Sequence, residues 1–344
     1  MDTLTITRPD DWHLHVRDDE ALNTVVPHTA RQFGRAIIMP NLKPPVTRVE
    51  QAIAYRDRIC AAIPAGTDFT PLMTLYLTNT TTVEDIEKAA AHPDIHAAKL
   101  YPAGATTNAD AGVTDIRGLY DVLAAMQEHQ LPLLVHGEVT DPEIDVFDRE
   151  TRFIDRVMVP IIDQFRSLRV VLEHITTRDA VGFILSTPER VAATITAHHL
   201  LLNRNAMFQG GIQPHHYCLP VLKRECHRDA LLYAIESGNS KFFLGTDSAP
   251  HAELMKQSGC GCAGIYTAHA ALELYAEAFD EINALDKLEG FASFHGADFY
   301  GLPRNSGSIT LQRESQDVPE SYEFGSQKLI PLRAGGTLNW SVTA

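Results

Sequence analysis

The sequence lacks an excess of basic residues, and this absence limits the partners that it can bind. It carries 29 lysine and arginine residues against 44 aspartate and glutamate residues, for a formal net charge of −15 at pH 7. Because a nucleic-acid partner requires a basic face that neutralises phosphates, this balance argues against binding to DNA or RNA. A small anionic substrate stays compatible with it, since a few local cations are enough to bind one.

Cysteine and long apolar runs are also scarce. The five cysteines form no even framework and lie at Cys60, Cys218, Cys226, Cys260 and Cys262. We therefore expect reduced thiols rather than disulfides. The Cys260–Gly261–Cys262 spacing is not that of a zinc-finger half-site, so we interpret these cysteines as packing or loop residues. No signal peptide or membrane span is recognisable, and we expect a cytoplasmic protein without a membrane partner.

Short apolar runs alternate with amphipathic segments along most of the sequence. The runs predict strands at Leu4–His15, Ala36–Pro40, Phe69–Leu77, Ala97–Tyr101, Leu131–His136, Val170–His174, Val191–Thr196 and Lys241–Asp247. The amphipathic segments predict helices near Ala21–Phe33, Val49–Ala62, Val83–His92, Ile116–His129, Phe153–Phe165, Arg178–Ser186, Val221–Ser237 and Tyr266–Phe279. Eight such alternations in about 290 residues predict an α/β fold, a (β/α)8 TIM barrel.

Two further features refine this fold prediction. No Gly-x-Gly-x-x-Gly follows the first strand, which disfavours the alternative of a doubly wound open sheet. After about Arg304 the pattern changes to short strand-like stretches around Ser306–Leu311 and Gly336–Val342. We therefore expect one hydrolase barrel domain over residues 1–344, with residues 304–344 as a small β-rich extension packed on the barrel.

Polar side chains follow the ends of most of the predicted strands. They are His13 with His15, Asn41, Lys99, His136, His174 and Asp247. Active sites of TIM barrels lie at these carboxyl ends, and burying so many ionisable groups there is costly unless something compensates. A bound metal is the simplest shared occupant.

The residue types indicate which metal this is. His13 and His15 lie two apart on a strand and so point to one face. Four histidines and an aspartate suit Zn²⁺, with Mn²⁺ and Co²⁺ as alternatives by ligand type. Five ligands exceed one tetrahedral zinc with an open position, so two ions and a bridging group are expected. Lys99 can supply that bridge if carbon dioxide adds to its amine, and a salt bridge to a strand-end carboxylate is the alternative.

Several motifs resemble those of the dihydroorotases, specifically the shorter bacterial-type (class II) enzymes of the amidohydrolase superfamily. The matching segments are Asp11–Asp18, Met39–Pro45, Lys99–Asn108, His136–Glu138, Glu173–Thr176 and Gly245–His251. The His-x-His pair alone indicates only the superfamily. Arg17, Asn41 and the Ser-Ala-Pro-His segment ending at His251 narrow the resemblance to dihydroorotase.

The resemblance implies a metal centre and an acid/base residue. One zinc ion would be held by His13, His15 and Asp247. A second would be held by His136 and His174, with N6-carboxylated Lys99 and a hydroxide bridging both ions. Asp247 would also act as the general acid/base.

The resemblance further implies a substrate and the residues that bind it. The reaction is the reversible closure of N-carbamoyl-L-aspartate to (S)-dihydroorotate and water, in a cytoplasmic homodimer. The substrate-binding residues would be His15, Arg17, Asn41, His136, Leu219, His251 and Ala263, with Thr106 and Thr107 on a mobile loop. We interpret His198, His199, His215 and His216 as residues around the site or on the surface rather than as metal ligands.

Three alternative functions have distinct signatures. A hydantoinase-like hydrolase of the same superfamily would share the metal ligands but lack the combination of Arg17, Asn41 and His251. A metal-dependent nuclease on the same barrel is opposed by the charge of −15. A non-catalytic scaffold barrel is opposed by the presence of every expected ligand and of Asp247.

Overall fold

Eight parallel strands form the centre of the computed structural model, which describes residues 2–259 and 261–343. In chain order they are Asp10–Leu14, Arg35–Ile38, Thr70–Tyr76, Ile95–Leu100, Leu133–His136, Val170–Glu173, Val191–Ile195 and Phe242–Leu244. Each pairs with its neighbour in the chain. The first and last are brought together beyond their ends, where the Asp247 N–H donates to the His13 carbonyl at 2.9 Å and the His15 N–H to that of Ser248 at 3.2 Å.

The predicted first strand, Leu4–His15, is wrong as a single element. The structure divides it into Thr3–Thr7, outside the barrel, and Asp10–Leu14, inside it. Pro9 has no N–H to donate and therefore interrupts a ladder of hydrogen bonds. The chain turns between the two strands, where the N–H of Arg8 donates to the carbonyl of Gly307.

Helices cover the outside of the barrel. The α-helices are Leu22–Ala30, Val49–Ala61, Val83–Ala90, Tyr120–Glu128, Arg149–Phe153, Val159–Gln164, Arg178–Ser186, Ala197–Leu201, Glu225–Glu236, Glu253–Lys256, Ala271–Glu281, Leu285–Glu289 and His295–Tyr300. Two π-helical turns, Ile154–Met158 and Gly290–Phe294, join neighbouring helices, and 3-10 turns lie at Asp19–Ala21, Ile116–Leu119, Arg204–Met207, Pro214–His216 and Ala268–Ala270. The predicted Arg178–Ser186 helix has the observed bounds because the Thr177 side chain caps it, accepting from the N–H of Ala180 at 3.1 Å.

The barrel interior is filled by apolar side chains below the strand ends. Its buried members are Trp12, Ile37, Met39, Leu72, Ala97, Leu134, Val171, Ala192 and Phe243, together with Ala297 and Tyr300 of the helix His295–Tyr300. The rings of Trp12 and Tyr300 stack with centroids 4.6 Å apart. Within the described part of the chain, this packed floor fills the barrel interior below the carboxyl ends of the strands.

The C-terminal residues form antiparallel strands against the barrel, as predicted. Ser308–Gln312 pairs with the N-terminal strand Thr3–Thr7 on one side and with Ser341–Thr343 on the other. The remaining short strands form two pairs, Gln316–Asp317 with Thr337–Leu338 and Tyr322–Phe324 with Gln327–Leu329. The α/β barrel prediction is thus confirmed. Within the described ranges, no helix has the length and apolar character needed to cross a membrane.

Candidate metal centre and active site

His13, His15 and Asp247 meet at the carboxyl end of the barrel. Oδ1 of Asp247 lies 3.3 Å from Nε2 of His13 and 3.0 Å from Nε2 of His15. The two Nε2 atoms are themselves 3.3 Å apart. All three side chains are buried, so one cation between them would be held by two imidazoles and a carboxylate without competing water.

His174 and His136 continue this cluster of histidines. The ring of His174 lies 4.9 Å from that of His13 and 4.8 Å from that of His136, measured between centroids. Nδ1 of His174 is buried and makes no hydrogen bond within the described residues. Since a buried polar atom without a partner is costly, a metal ligand role fits this nitrogen. Nε2 of His136 lies 2.9 Å from Oε2 of Glu138.

Lys99 lies beneath this cluster and pairs with a carboxylate that we did not predict. Its Nζ donates to Oε2 of Glu173, and both side chains are fully buried. The other oxygen of Glu173 lies 3.0 Å from Nδ1 of His13. Of the two arrangements expected for Lys99, the structure shows the salt bridge, and carboxylation of its amine stays a prediction.

Burial controls the protonation of the site. It lowers the pKa of His13 to about 3 and holds the pKa values of His15 and His174 below their ordinary range, so these imidazoles are neutral near pH 7, the form in which histidine binds a metal. Burial also lowers the pKa of Lys99 well below its usual value. It works to raise the pKa of Asp247, but the adjacent His13 and His15 outweigh it and hold that pKa well below its usual value.

A second group of polar residues lies beside the cluster of histidines and Asp247. Arg17 donates through Nε to the Pro250 carbonyl at 3.0 Å, and its NH2 nitrogen lies 2.8 Å from Nε2 of His251. The NH1 nitrogen of Arg17 is buried without a hydrogen-bond partner in the described chain. Asn41 contacts the histidine group, because its Oδ1 lies 2.9 Å from Nδ1 of His15. A guanidinium with a free N–H suits recognition of a carboxylate.

The loop that contains Thr106 and Thr107 lies over the cavity. The Thr107 hydroxyl accepts from the N–H of Ala263 at 3.0 Å, and the Thr107 carbonyl accepts from Nδ2 of Asn41 at 3.3 Å. Asn108 also donates to the carbonyl of Asn41 at 3.1 Å. The loop is thus attached to both walls of the cavity.

One small cavity brings most of the predicted site residues together. It is lined by His13, His15, Arg17, Asn41, Tyr101, Thr106, Thr107, His136, His174, Leu219, Asp247, Ala249, Ala263 and Gly264. Lys99 and His251 do not line it. Lys99 lies below His13, and Glu173 contacts both of them. His251 lies behind the cavity wall, where it contacts Arg17 and the carbonyl of Ala263.

Glu173 and Tyr101 are the main site residues that the sequence interpretation omitted. Alternation along the strand Val170–Glu173 puts Glu173 on the same face as Val171, which points into the barrel. The same rule puts Lys99 on the same face of its strand as Ala97, which points into the barrel. Alternation could therefore have placed both partners of the ion pair inside the barrel. Tyr101, two residues after Lys99, lies on this face as well.

The four histidines that we did not interpret as metal ligands do not line the cavity. His198 and His199 are fully buried behind one wall, whereas His215 and His216 are half-buried on a loop. Nδ1 of His216 lies 2.8 Å from the Ala206 carbonyl, and Nε2 of His215 lies 3.2 Å from Nε2 of Gln257. Of the predicted packing cysteines, Cys262 is half-buried and Cys260 lies outside the described residues.

Sequence comparison matches this chain to known families. The model of the amidohydrolase family matches residues 7–314. A dihydroorotase of Cupriavidus necator is 66% identical over 337 residues, which cover 98% of each chain. A dihydroorotase of Variovorax paradoxus is 65% identical over 341 residues, or 99% of each chain.

Solved structures of dihydroorotases are also similar to this chain. The dihydroorotase of Campylobacter jejuni superimposes with a TM-score of 0.91 at 36% identity, over 99% of this chain and 98% of that one. The Saccharomyces cerevisiae dihydroorotase, solved in complex with 5-fluoroorotic acid, superimposes with a TM-score of 0.92 at 34% identity, over 100% of this chain and 99% of that one. An L-hydantoinase of Arthrobacter aurescens is only 14% identical with a TM-score of 0.81, and shares the fold. The resemblance inferred from the motifs is confirmed, and the chain belongs to the amidohydrolase family, within its dihydroorotase branch.

Proposed function

We propose that the cavity catalyses the reversible closure of N-carbamoyl-L-aspartate to (S)-dihydroorotate and water, the third step of de novo pyrimidine synthesis. The observation that carries this proposal is the meeting of two groups of side chains in one small cavity. One group, around His13 and Asp247, suits a metal. The other, around Arg17, suits a carboxylate. The substrate has both an amide carbonyl to activate and a carboxylate to anchor.

We propose that the metal centre holds two zinc ions. The buried, unpartnered Nδ1 of His174 and the converging atoms of His13, His15 and Asp247 fit such a centre. His13, His15 and Asp247 would hold one ion, and His136 and His174 the other. When bound, the metals polarise the carbonyl and activate water near neutral pH. Lys99 would bridge them as a carbamate, and its lowered pKa supports this because only a neutral amine adds to carbon dioxide.

Asp247 is the residue proposed to move the proton. During ring opening its carboxylate takes a proton from the attacking water and delivers it to the leaving ring nitrogen. During ring closure it takes that proton back from the ureido nitrogen. The low pKa of Asp247 keeps the carboxylate ionised and able to accept a proton.

Arg17, Asn41 and His251 are proposed to orient the substrate. The unpartnered NH1 of Arg17 can donate to the substrate carboxylate, which fixes the ring relative to Asp247. The backbones of Leu219 and Ala263 would contact the ring. Since the Thr107 hydroxyl accepts from the Ala263 N–H, the loop in this position would cover a bound substrate and exclude water.

The test is the ultraviolet-monitored loss of dihydroorotate by purified protein, before and after chelation and after zinc is restored. We expect activity that disappears with the metal and returns with Zn²⁺. Hydrolysis of hydantoin in place of dihydroorotate would favour the sister enzymes. Metal binding without hydrolysis of either compound would favour a scaffold role.

We also propose that the protein is a homodimer in the cytoplasm. The family resemblance supports the dimer. Cysteine is scarce, and the four cysteines that the structure describes are free thiols, which suits a reducing compartment. Light scattering in solution tests the dimer, and a mass of one chain, 38.0 kDa, would contradict it.

A further inference from the structure

A second cluster of metal-ligand side chains lies behind one wall of the cavity. It consists of His198, His199 and Cys218, all of them buried, and their ligand atoms lie within 4.8 Å of one another. Leu219, which lines the cavity, connects Cys218 to Pro220. The cluster therefore lies directly behind the substrate-facing segment without being part of the site described above.

The distances within this cluster resemble the edges of a metal coordination shell. Nε2 of His199 donates to the carbonyl oxygen of Pro220 at 3.1 Å and lies 3.8 Å from Sγ of Cys218. The Cys218 thiol donates to the same oxygen at 3.3 Å. With metal–nitrogen and metal–sulfur bonds of about 2.0 to 2.3 Å, a tetrahedral site has ligand–ligand edges of roughly 3.3 to 3.7 Å. Small movements would close the three atoms around one cation, with the thiol proton of Cys218 released to solvent and the proton of His199 moved to Nδ1, where it donates to Thr196.

His198 provides an independent indication of a ligand. Both of its ring nitrogens are buried, and neither has a hydrogen-bond partner among the described residues. A buried imidazole normally satisfies at least one nitrogen. Its ring centroid lies 4.5 Å from that of His199, so it faces the same small volume. A cation there would give one nitrogen of His198 a partner.

Thr196 holds His199 in a suitable orientation. Its Oγ1 lies 2.6 Å from Nδ1 of His199, and this contact leaves Nε2 directed at Cys218 and Pro220. Metal-ligating histidines commonly use one ring nitrogen for the metal and the other for an orienting hydrogen bond. Thr196 would supply that second bond to His199.

We propose that His198, His199, Cys218 and the Pro220 carbonyl form a further metal site, separate from the catalytic centre, and this replaces the interpretation of His198 and His199 drawn from the sequence. Two imidazoles and a thiolate favour Zn²⁺ or Co²⁺ over the hard cations Mg²⁺ and Ca²⁺. The bound ion ties together the two residues that flank Leu219, and it thereby stiffens one wall of the substrate cavity.

Cobalt titration of the enzyme with its catalytic metals in place tests the site. Wild-type protein should bind one more Co²⁺ per chain than Cys218→Ser, with a near-ultraviolet cobalt–thiolate charge-transfer band that the variant lacks. Cys226→Ser removes an exposed thiol elsewhere and should keep both the extra ion and the band. A band that persists in Cys218→Ser, or equal metal content in wild type and that variant, overturns the proposal.

Thermal unfolding provides a second measurement that does not depend on a thiol signal. A cation that binds only the folded chain raises its melting temperature. Added Zn²⁺ should raise the melting temperature of the wild type more than that of His198→Gln, with both proteins first loaded at the catalytic centre. Equal increases contradict the proposal. Neither assay uses turnover, so their results are independent of the reaction assigned to the main cavity.

Discussion

Glu173 joins Lys99 to His13 inside the barrel. One carboxylate oxygen accepts from Nζ of Lys99, and the other lies 3.0 Å from Nδ1 of His13. All three side chains are buried, so these interactions are not screened by water. Glu173 thus contacts two of the proposed ligand residues while lying outside the cavity itself.

Replacing Glu173 by glutamine should destabilise the protein. In metal-free protein, where Lys99 is not carboxylated, the change removes the ionic partner of its buried amine, and breaking a buried pair on one side costs on the order of 3 kcal/mol. Urea denaturation at neutral pH measures the free energy of unfolding. Glu189→Gln, an exposed site, is the control and should be close to wild type. Equal stability of the two variants would show that the ion pair contributes nothing.

Replacing Asp247 by alanine or asparagine should abolish turnover and leave the fold largely intact. Neither side chain can carry the proton, and loss of a general acid/base lowers the rate by about 100-fold or more. Rates of dihydroorotate hydrolysis and circular dichroism together check this expectation. The exposed Asp155→Asn should retain full activity. Substantial turnover by both Asp247 variants would rule out the proposed role.

Replacing Arg17 by methionine should chiefly raise the KM for dihydroorotate. The guanidinium loses charge-assisted hydrogen bonds to the substrate carboxylate worth about 1.5–3 kcal/mol, or roughly 10- to 150-fold in kcat/KM. Steady-state kinetics measures the change. Arg117→Met, whose side chain is 77% exposed, serves as the matched control. An unchanged KM in Arg17→Met would count against a carboxylate-binding role.

His269 should make the protein less stable as the pH falls below about 6.5. Burial, with the nearby His28 and Arg31, lowers the pKa of His269 to about 3 in the folded chain. The unfolded chain therefore takes up a proton that the folded chain refuses, and the free energy of unfolding falls by up to about 1.4 kcal/mol per pH unit. In metal-free protein, urea denaturation at several pH values should show a shallower decline for His269→Gln than for wild type. Exposed His129→Gln should follow the wild type, and parallel slopes for all three proteins would contradict this linkage.

The order of elements was predictable because its signals are local. Apolar runs of strand length, alternating with amphipathic segments, led to the eight-stranded barrel, and polar residues after those runs led to His13, Lys99, His136, His174 and Asp247. The first strand was misjudged because continuous alternation across Pro9 conceals the turn at which the chain enters the barrel.

The sequence by itself determined the barrel, the family and the set of polar residues at the strand ends, since strand periodicity and motif spacing are properties of neighbouring positions. Only the tertiary structure decided which of these polar residues contact one another. Lys99 and Glu173 are 74 positions apart, and the ion pair between them forms because both strands turn those side chains into the same packed interior. Cys218 and His199 likewise meet only because a returning loop packs behind the cavity wall, a contact that no local pattern specifies.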